Sequence, residues 1–229
     1  MRTAFFVTFA WVAIAAGRGY GLDITDCGQV VPEGQVGVLQ ADIAGCHIAV
    51  TLEDHASLQL NDHSITGCSI GAVQCLESCT VTGPGTLASS NYGIFGSYLH
   101  KHVVTADGIV FHDNLEALSG LYSKFVLSNL VVTGNGGPSG NYDPQHSPAI
   151  IGRSLLGTNL QVTDNHGPGT AMDRTTKLID SVLTGNNGEG KGIDIESRMR
   201  PRVTNTVCGH SLGFQRYPRP WRHTCANDP

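Results

Sequence analysis

Three stretches decide how this chain folds: LVVTGNGG at Leu130–Gly137, LQVTDNHG at Leu160–Gly167 and SVLTGNNG at Ser181–Gly188. Aligned on Thr133, Thr163 and Thr184, they step by 30 and then 21 residues. His112 in IVFHDN falls 21 residues before Thr133, Thr82 in TVTGPG 30 before His112, and Thr204 in RVTN 20 after Thr184. Periods of this length belong to solenoids, in which each repeat is one coil. The 30-residue coils read as 21-residue coils carrying an insert of nine.

The local pattern says what kind of coil. Short alternating runs recur, such as HIAVTL (His47–Leu52), SLQL (Ser57–Leu60), LVVT and LQVT. They are rich in β-branched residues and cut by Gly and Asn, which is the signature of strands rather than helices. Stacking the coils sets each strand beside its equivalent, parallel and about 4.8 Å away. The expected architecture is a single all-β, right-handed parallel β-helix of about eight coils, the hand following the crossover rule for parallel strands. Two residues after the anchor stand Asn114, Asn135, Asn165 and Asn186. Asn suits tight turns and the left-handed backbone region, and stacked amides can hydrogen-bond along the axis.

Composition agrees. Charged residues are 14%, there are 29 Gly, and the net charge is -5. That balance gives no reason to expect nucleic acid, and 40% hydrophobic residues argue against disorder. Arg2 followed by the apolar run Ala4–Ala16 and the small residues Ala13 and Ala15 reads as a signal peptide over residues 1–21. The β-helix is then expected over 22–229, in a secreted protein with no membrane anchor. An exported chain can hold disulfides. Of seven Cys, Cys208 and Cys225 stand apart from the rest and are expected to pair. Cys27–Cys46 and Cys75–Cys79 are the pairings proposed for the others, leaving Cys68 odd. Residues 22–47 and 208–229 break the repeat and read as caps over the open ends, which a solenoid needs.

The phrases SLQLNDHSITG (Ser57–Gly67), CTVTGPGTL (Cys79–Leu87) and the later VTGN coils resemble right-handed parallel β-helix proteins of the pectate-lyase-like superfamily. The resemblance covers nearly all of the chain after the leader. It speaks for the fold and little for activity, since the matching residues are the ones that build coils.

Candidate chemistry lies on the outer faces. Ten residues before the anchors stand Ser123, Arg153, Arg174 and, in the last coil, Asp194. Arg153 and Arg174 on adjacent rungs repel unless an acid or a bound anion intervenes, so they are candidates, with Asp173, Asp194 and Tyr142, for binding the carboxylates of an acidic sugar chain. A solvated turn in which Arg174 pairs with Asp173 or Asp194 is the plainer expectation. The insert GGPSGNYDPQHSPA (Gly136–Ala149) adds Asp143 and His146, which could act as acid and base or ligate a metal. The stretch EGKGIDIESRMR (Glu189–Arg200) adds Glu189, Lys191, Glu196 and Arg198. The resemblance implies that a lyase would use a basic residue such as Lys191, Arg174 or Arg198 as proton acceptor, with a second cation or calcium on acids neutralising the uronate. No cofactor motif is evident, and the catalytic motifs of polygalacturonase-like relatives are missing from the sequence. Two functions follow as expectations: a secreted β-helix that binds or cleaves, in lyase-like or glycosidase-like fashion, an acidic polysaccharide; or a non-catalytic extracellular structural or adhesive module.

Overall fold

The computed structural model describes residues 21–96, 101–136, 147–186, 193–213 and 225–226. The signal-peptide reading of residues 1–21 falls outside them apart from Gly21. Every strand pairing among the described residues is parallel, in one continuous 22-stranded ladder, and none of these residues is helical. The chain is a right-handed parallel β-helix of about seven turns. Each turn offers three faces. The first runs from Gln29–Val31 through Ile48–Leu52, Gly71–Cys75 and Tyr92–Gly96 to Thr170–Met172 and Ile195–Ser197. The second runs from Leu22–Ile24 through Val36–Leu39 and Ala56–Gln59 to Thr176–Ile179 and Arg202–Thr204. The third runs from Ile43–Ala44 through Ser64–Thr66 to Val131–Thr133, Gln161–Thr163, Val182–Thr184 and Val207–Cys208. Long strands such as Cys79–Ala88, Val103–His112 and Ile150–Thr158 bend around a corner and serve two faces.

The alternation seen in the sequence is the inward and outward alternation of these faces. Ile43, Ile65, Leu87, Phe111, Val132, Val162 and Leu183 occupy successive rungs of the third face, and all are buried. Val50, Val73, Ile94, Leu118 and Ile150 do the same on the first. Because each apolar side chain packs on its own equivalent one rung away, the core is a set of columns and needs no residue from a distant element.

Three of the sequence alignments hold and two change. Thr133 pairs with Thr163, Thr163 with Thr184, and His112 with Thr133. Thr82 instead pairs with Asp107, and Thr204 with Ile179. Both therefore belong to the second face, one corner away from the anchor column. The stretch 22–47, expected as a cap, contributes Leu22–Ile24, Gln29–Val31, Val36–Leu39 and Ile43–Ala44 to the ladder itself. At the far end Cys208 and Ser211–Gly213 also continue it, and 214–224 and 227–229 lie outside the described residues.

The Asn column is buried. Each Nδ2 of Asn114, Asn135 and Asn165 donates to the Oδ1 of the Asn on the next rung, at 3.0, 3.0 and 2.7 Å. Each also donates to a main-chain carbonyl one rung back: Leu87, Phe111 and Val132. The residue in the left-handed region is not the Asn but the one before it: Asp113, Gly134, Asp164 and Gly185, like Gly67 and Ser89 before Cys68 and Ser90 on earlier rungs, all have φ between 50° and 70°. Gly and Asp alternate there for a reason. A Cβ on Gly134 would come within 2.9 Å of Oδ1 of Asp113, and one on Gly185 within 2.5 Å of that of Asp164.

The bridges Cys27–Cys46, Cys75–Cys79 and Cys208–Cys225 form, and Cys68 is a buried free thiol. They are compatible with an oxidising, extracellular setting. No helix among the described residues is long and apolar enough to cross a membrane.

Candidate functional site

The corner between the first and second faces carries the Arg pair. Gly152 pairs with Met172 and Leu155 with Thr176, so Arg153 and Arg174 are on adjacent rungs, joined through Arg174 N–H to the Arg153 carbonyl at 2.7 Å. Arg174 is exposed and Arg153 half-buried. Neither forms an ion pair among the described residues. The nearby carboxylate of Asp173 is taken by Arg198 of the next rung, Nη1 to Oδ1 at 3.4 Å. The plainer expectation, Arg174 bound to Asp173 or Asp194, is therefore replaced by a pairing one rung further on. Both partners of that pair are about half exposed, so it is worth little in stability.

Asp194 is the clearest correction. Its spacing from Thr204 places it in the Arg column, but Thr204 belongs to a different face. Met172 pairs with Ser197, which sets Met199, not Asp194, on the rung beyond Arg174. Asp194 is buried at 1% exposure. Its Oδ1 accepts from the Asn186 side chain at 2.7 Å, and its Oδ2 from the N–H groups of Gly209 and His210 at 2.6 and 3.0 Å. A ladder of amides that all donate in one direction ends well on a group that only accepts, and a carboxylate is one. Asp194 is thus the end of the Asn ladder and not a ligand-binding residue. Ser123 also turns inward: it is fully buried and its Oγ is 2.7 Å from His102 Nε2. The register shift between Gly120 and Lys124 causes this, setting residues 121–123 opposite Arg153. Tyr142, Asp143, His146, Glu189 and Lys191 lie outside the described residues.

The structure adds residues that the sequence reading missed. Leu121 and Tyr122 are 52% and 50% exposed beside Arg153, and Met199 is 52% exposed above Arg174. An open groove of about 760 Å³ follows, lined by Thr175, Lys177, Met199, Arg200, Arg202 and Val203 among others. Lys177 pairs with Arg202 across the second face, and both side chains are exposed. A second, exposed ladder runs beside the buried one: Asn159 donates to Asn129, Asn129 to Asp107, and Asn205 to Asp180.

Charge is distributed unevenly. Residues 21–96 contain eight Asp and Glu and no Lys or Arg. The basic side chains of the described solenoid gather on its later coils. Among the described residues titration is shifted at Asp42, Glu116 and Cys68, all away from the basic corner. The Ser64 main chain and side chain, with His63, hold the Asp42 carboxyl below its usual range. Burial pushes the Glu116 carboxyl up, as it does the Cys68 thiol. Among the described residues no cluster of three or more His, Cys, Asp or Glu could hold a metal ion. The chemistry this corner supports is the binding of anions beside an aromatic ring and short apolar surfaces.

Ladder and corner together define the class: a parallel β-helix with a cationic edge. No family model matches the chain, and no curated protein matches it. Among solved structures it is similar to the enzymatically active domain of tailspike protein 2 of bacteriophage CBA120, with a TM-score of 0.53 and 11% identity. The match covers 85% of this chain but 39% of that one, and at such low identity the likeness concerns the fold.

Proposed function

We propose that the protein is a secreted β-helix that binds an acidic polysaccharide along the corner formed by Tyr122, Arg153 and Arg174. One observation carries this reading: Arg153 and Arg174 stand on adjacent rungs with no ion pair among the described residues, while the neighbouring carboxylate of Asp173 is engaged by Arg198. Such a pair is relieved by bound carboxylates, which Arg grips with two parallel hydrogen bonds. Tyr122 offers the flat apolar surface on which a sugar ring rests. The apolar leader and the three disulfides support export. The tailspike domain is described as enzymatically active. For this chain the described residues support binding, and a lyase-like or glycosidase-like step would have to draw on residues such as Lys191, Asp143 or His146.

Affinity electrophoresis in gels containing polygalacturonate or alginate tests the proposal. The parent protein is expected to be retarded at low salt, less so at physiological ionic strength, where exposed charges are screened over about 8 Å. Retardation in uncharged dextran is not expected. Arg153→Gln/Arg174→Gln should lose the retardation while unfolding at the parent midpoint or slightly above it. A double variant retarded as strongly as the parent at low salt would overturn the reading.

A further inference from the structure

Lys177 and Arg202 lie outside the Arg corner, yet one short stretch joins them to it. Both are exposed, they are direct register partners, and neither has an ion pair among the described residues. One rung earlier the same column holds Leu156, and before it Val126, so the charge begins abruptly at Lys177. Arg174, Thr175 and Thr176 lead straight into Lys177. The four cations therefore form a stepped line. It climbs one rung from Arg153 to Arg174, crosses three residues to Lys177, and climbs another rung to Arg202. With rungs about 4.8 Å apart and about 3.3 Å per residue along a strand, the line spans roughly 14 Å at the backbone. The groove lies at its second half, lined by Lys177, Arg200 and Arg202 together with Thr175, Met199 and Val203. Two like-charged pairs, each on adjacent rungs and three residues apart along the chain, match a chain with regularly spaced anions better than a single small anion.

We propose that this groove is a second subsite of the same polysaccharide site. Lys177 and Arg202 hold a carboxylate further along the chain than the one held by Arg153 and Arg174. The polymer then crosses the solenoid obliquely, and the ligand recognised is an oligouronide longer than a disaccharide. This rests on the uronate-binding reading above. Calorimetric titration with a uronate disaccharide and a hexasaccharide separates the two. The parent should bind the hexasaccharide at least tenfold more tightly. Lys177→Gln/Arg202→Gln should lose that preference and keep the disaccharide affinity of the parent. Arg153→Gln/Arg174→Gln should lose both ligands. Unfolding midpoints close to that of the parent establish that both variants are folded. A Lys177→Gln/Arg202→Gln variant with the full hexasaccharide preference overturns the subsite and leaves the uronate reading standing. A parent that binds neither ligand overturns both.

A separate observation concerns the first coils. Ala44 pairs with Thr66, which puts Cys46 and Cys68 on adjacent rungs, each just after a left-handed Gly, Gly45 and Gly67. Their sulfurs face equivalent carbonyls, Cys46 Sγ that of Ala44 at 4.0 Å and Cys68 Sγ that of Thr66 at 3.9 Å. Cys46 is bonded to Cys27 on its other side, with a Cα separation of 5.6 Å. Parallel neighbours about 4.8 Å apart also fall within the Cα range that a disulfide accepts. Cys46 thus has a second sulfur on the adjacent rung, within the Cα reach of a disulfide. We infer that the bridge can pass between them. The Cys68 thiolate attacks Cys46 Sγ, the Cys46–Cys68 bond forms, and the Cys27–Cys46 bond breaks. The electron pair leaves on Cys27, which takes up the proton that Cys68 released, so no outside oxidant is needed. Burial raises the Cys68 thiol, so the exchange is slow at neutral pH and faster in mild alkali. Its product is a free thiol at an exposed position of the first coil. Incubation of the unreduced protein with a maleimide at alkaline pH, then Asp-specific cleavage and mass mapping, reads it out. The expected result is label on Cys27 together with a Cys46–Cys68 linked peptide, and no label on Cys27 in Cys68→Ser. Recovery of only Cys27–Cys46, with no label on Cys27, overturns the inference.

Discussion

Asp194→Asn should lower the unfolding free energy by about 3 kcal/mol, although the change is isosteric. The carboxylate accepts from Asn186 on one oxygen and from the N–H groups of Gly209 and His210 on the other. An amide has only one acceptor atom. Whichever way it is turned, its NH2 group faces buried donors, and each donor left unpaired costs about 1–3 kcal/mol. The loss should appear as a lower denaturant midpoint at unchanged slope, read by circular dichroism. Equal midpoints for parent and variant would mean that the Asn ladder does not depend on its terminator.

Truncation in the middle of the ladder is expected to be nearly as costly. Asn165→Ala removes the oxygen that accepts from both the main-chain N–H and the Nδ2 of Asn135, at 2.9 and 3.0 Å. It also removes the donor to the Val132 carbonyl and to Asn186. The Asn135 N–H is left buried without an acceptor, while its Nδ2 keeps the Phe111 and Thr133 carbonyls, which puts the loss at about 2 kcal/mol. The exposed ladder supplies the control. Asn159→Ala removes a similar amide-to-amide bond, to Asn129 at 2.8 Å, at a position where water can replace it. Its cost should stay below about 1 kcal/mol. Similar losses for the two substitutions would show that burial is not what gives the inner ladder its weight.

The same contrast explains what could be read from the sequence. The inner ladder was legible because each buried amide donates to the amide of the next rung, so Asn114, Asn135, Asn165 and Asn186 recur in register. Strand type was legible because each face alternates inward and outward. What failed was the assignment of repeats to faces. A coil passes two corners that use the same vocabulary: Thr158-Asn159 and Thr204-Asn205 at one, Thr163-Asp164-Asn165 and Thr184-Gly185-Asn186 at the other. Spacing alone cannot separate them, and taking Thr204 for the wrong corner carried Asp194 to the outside of the molecule. The true step, 25 residues from Lys177 to Arg202, was hidden by the same error. Tyr122 escaped notice because its exposure follows from a register shift, which depends on how neighbouring coils fit and leaves no local mark in the sequence. The disulfides of the two ends were legible from the clustering of Cys. That Cys46 and Cys68 are stacked rung on rung required the register.

The absence of Lys and Arg between residues 21 and 96 has a consequence for how the molecule travels. A rod whose first coils carry acids alone, while its Arg and Lys stand among the remaining acids of the later coils, carries an electric dipole along its length. In the field of an anionic surface such a rod turns before it touches. The acidic coils are pushed away and the Arg corner leads, so a larger share of encounters begin in a productive orientation. Added salt should then slow the arrival of the protein more than it speeds its departure.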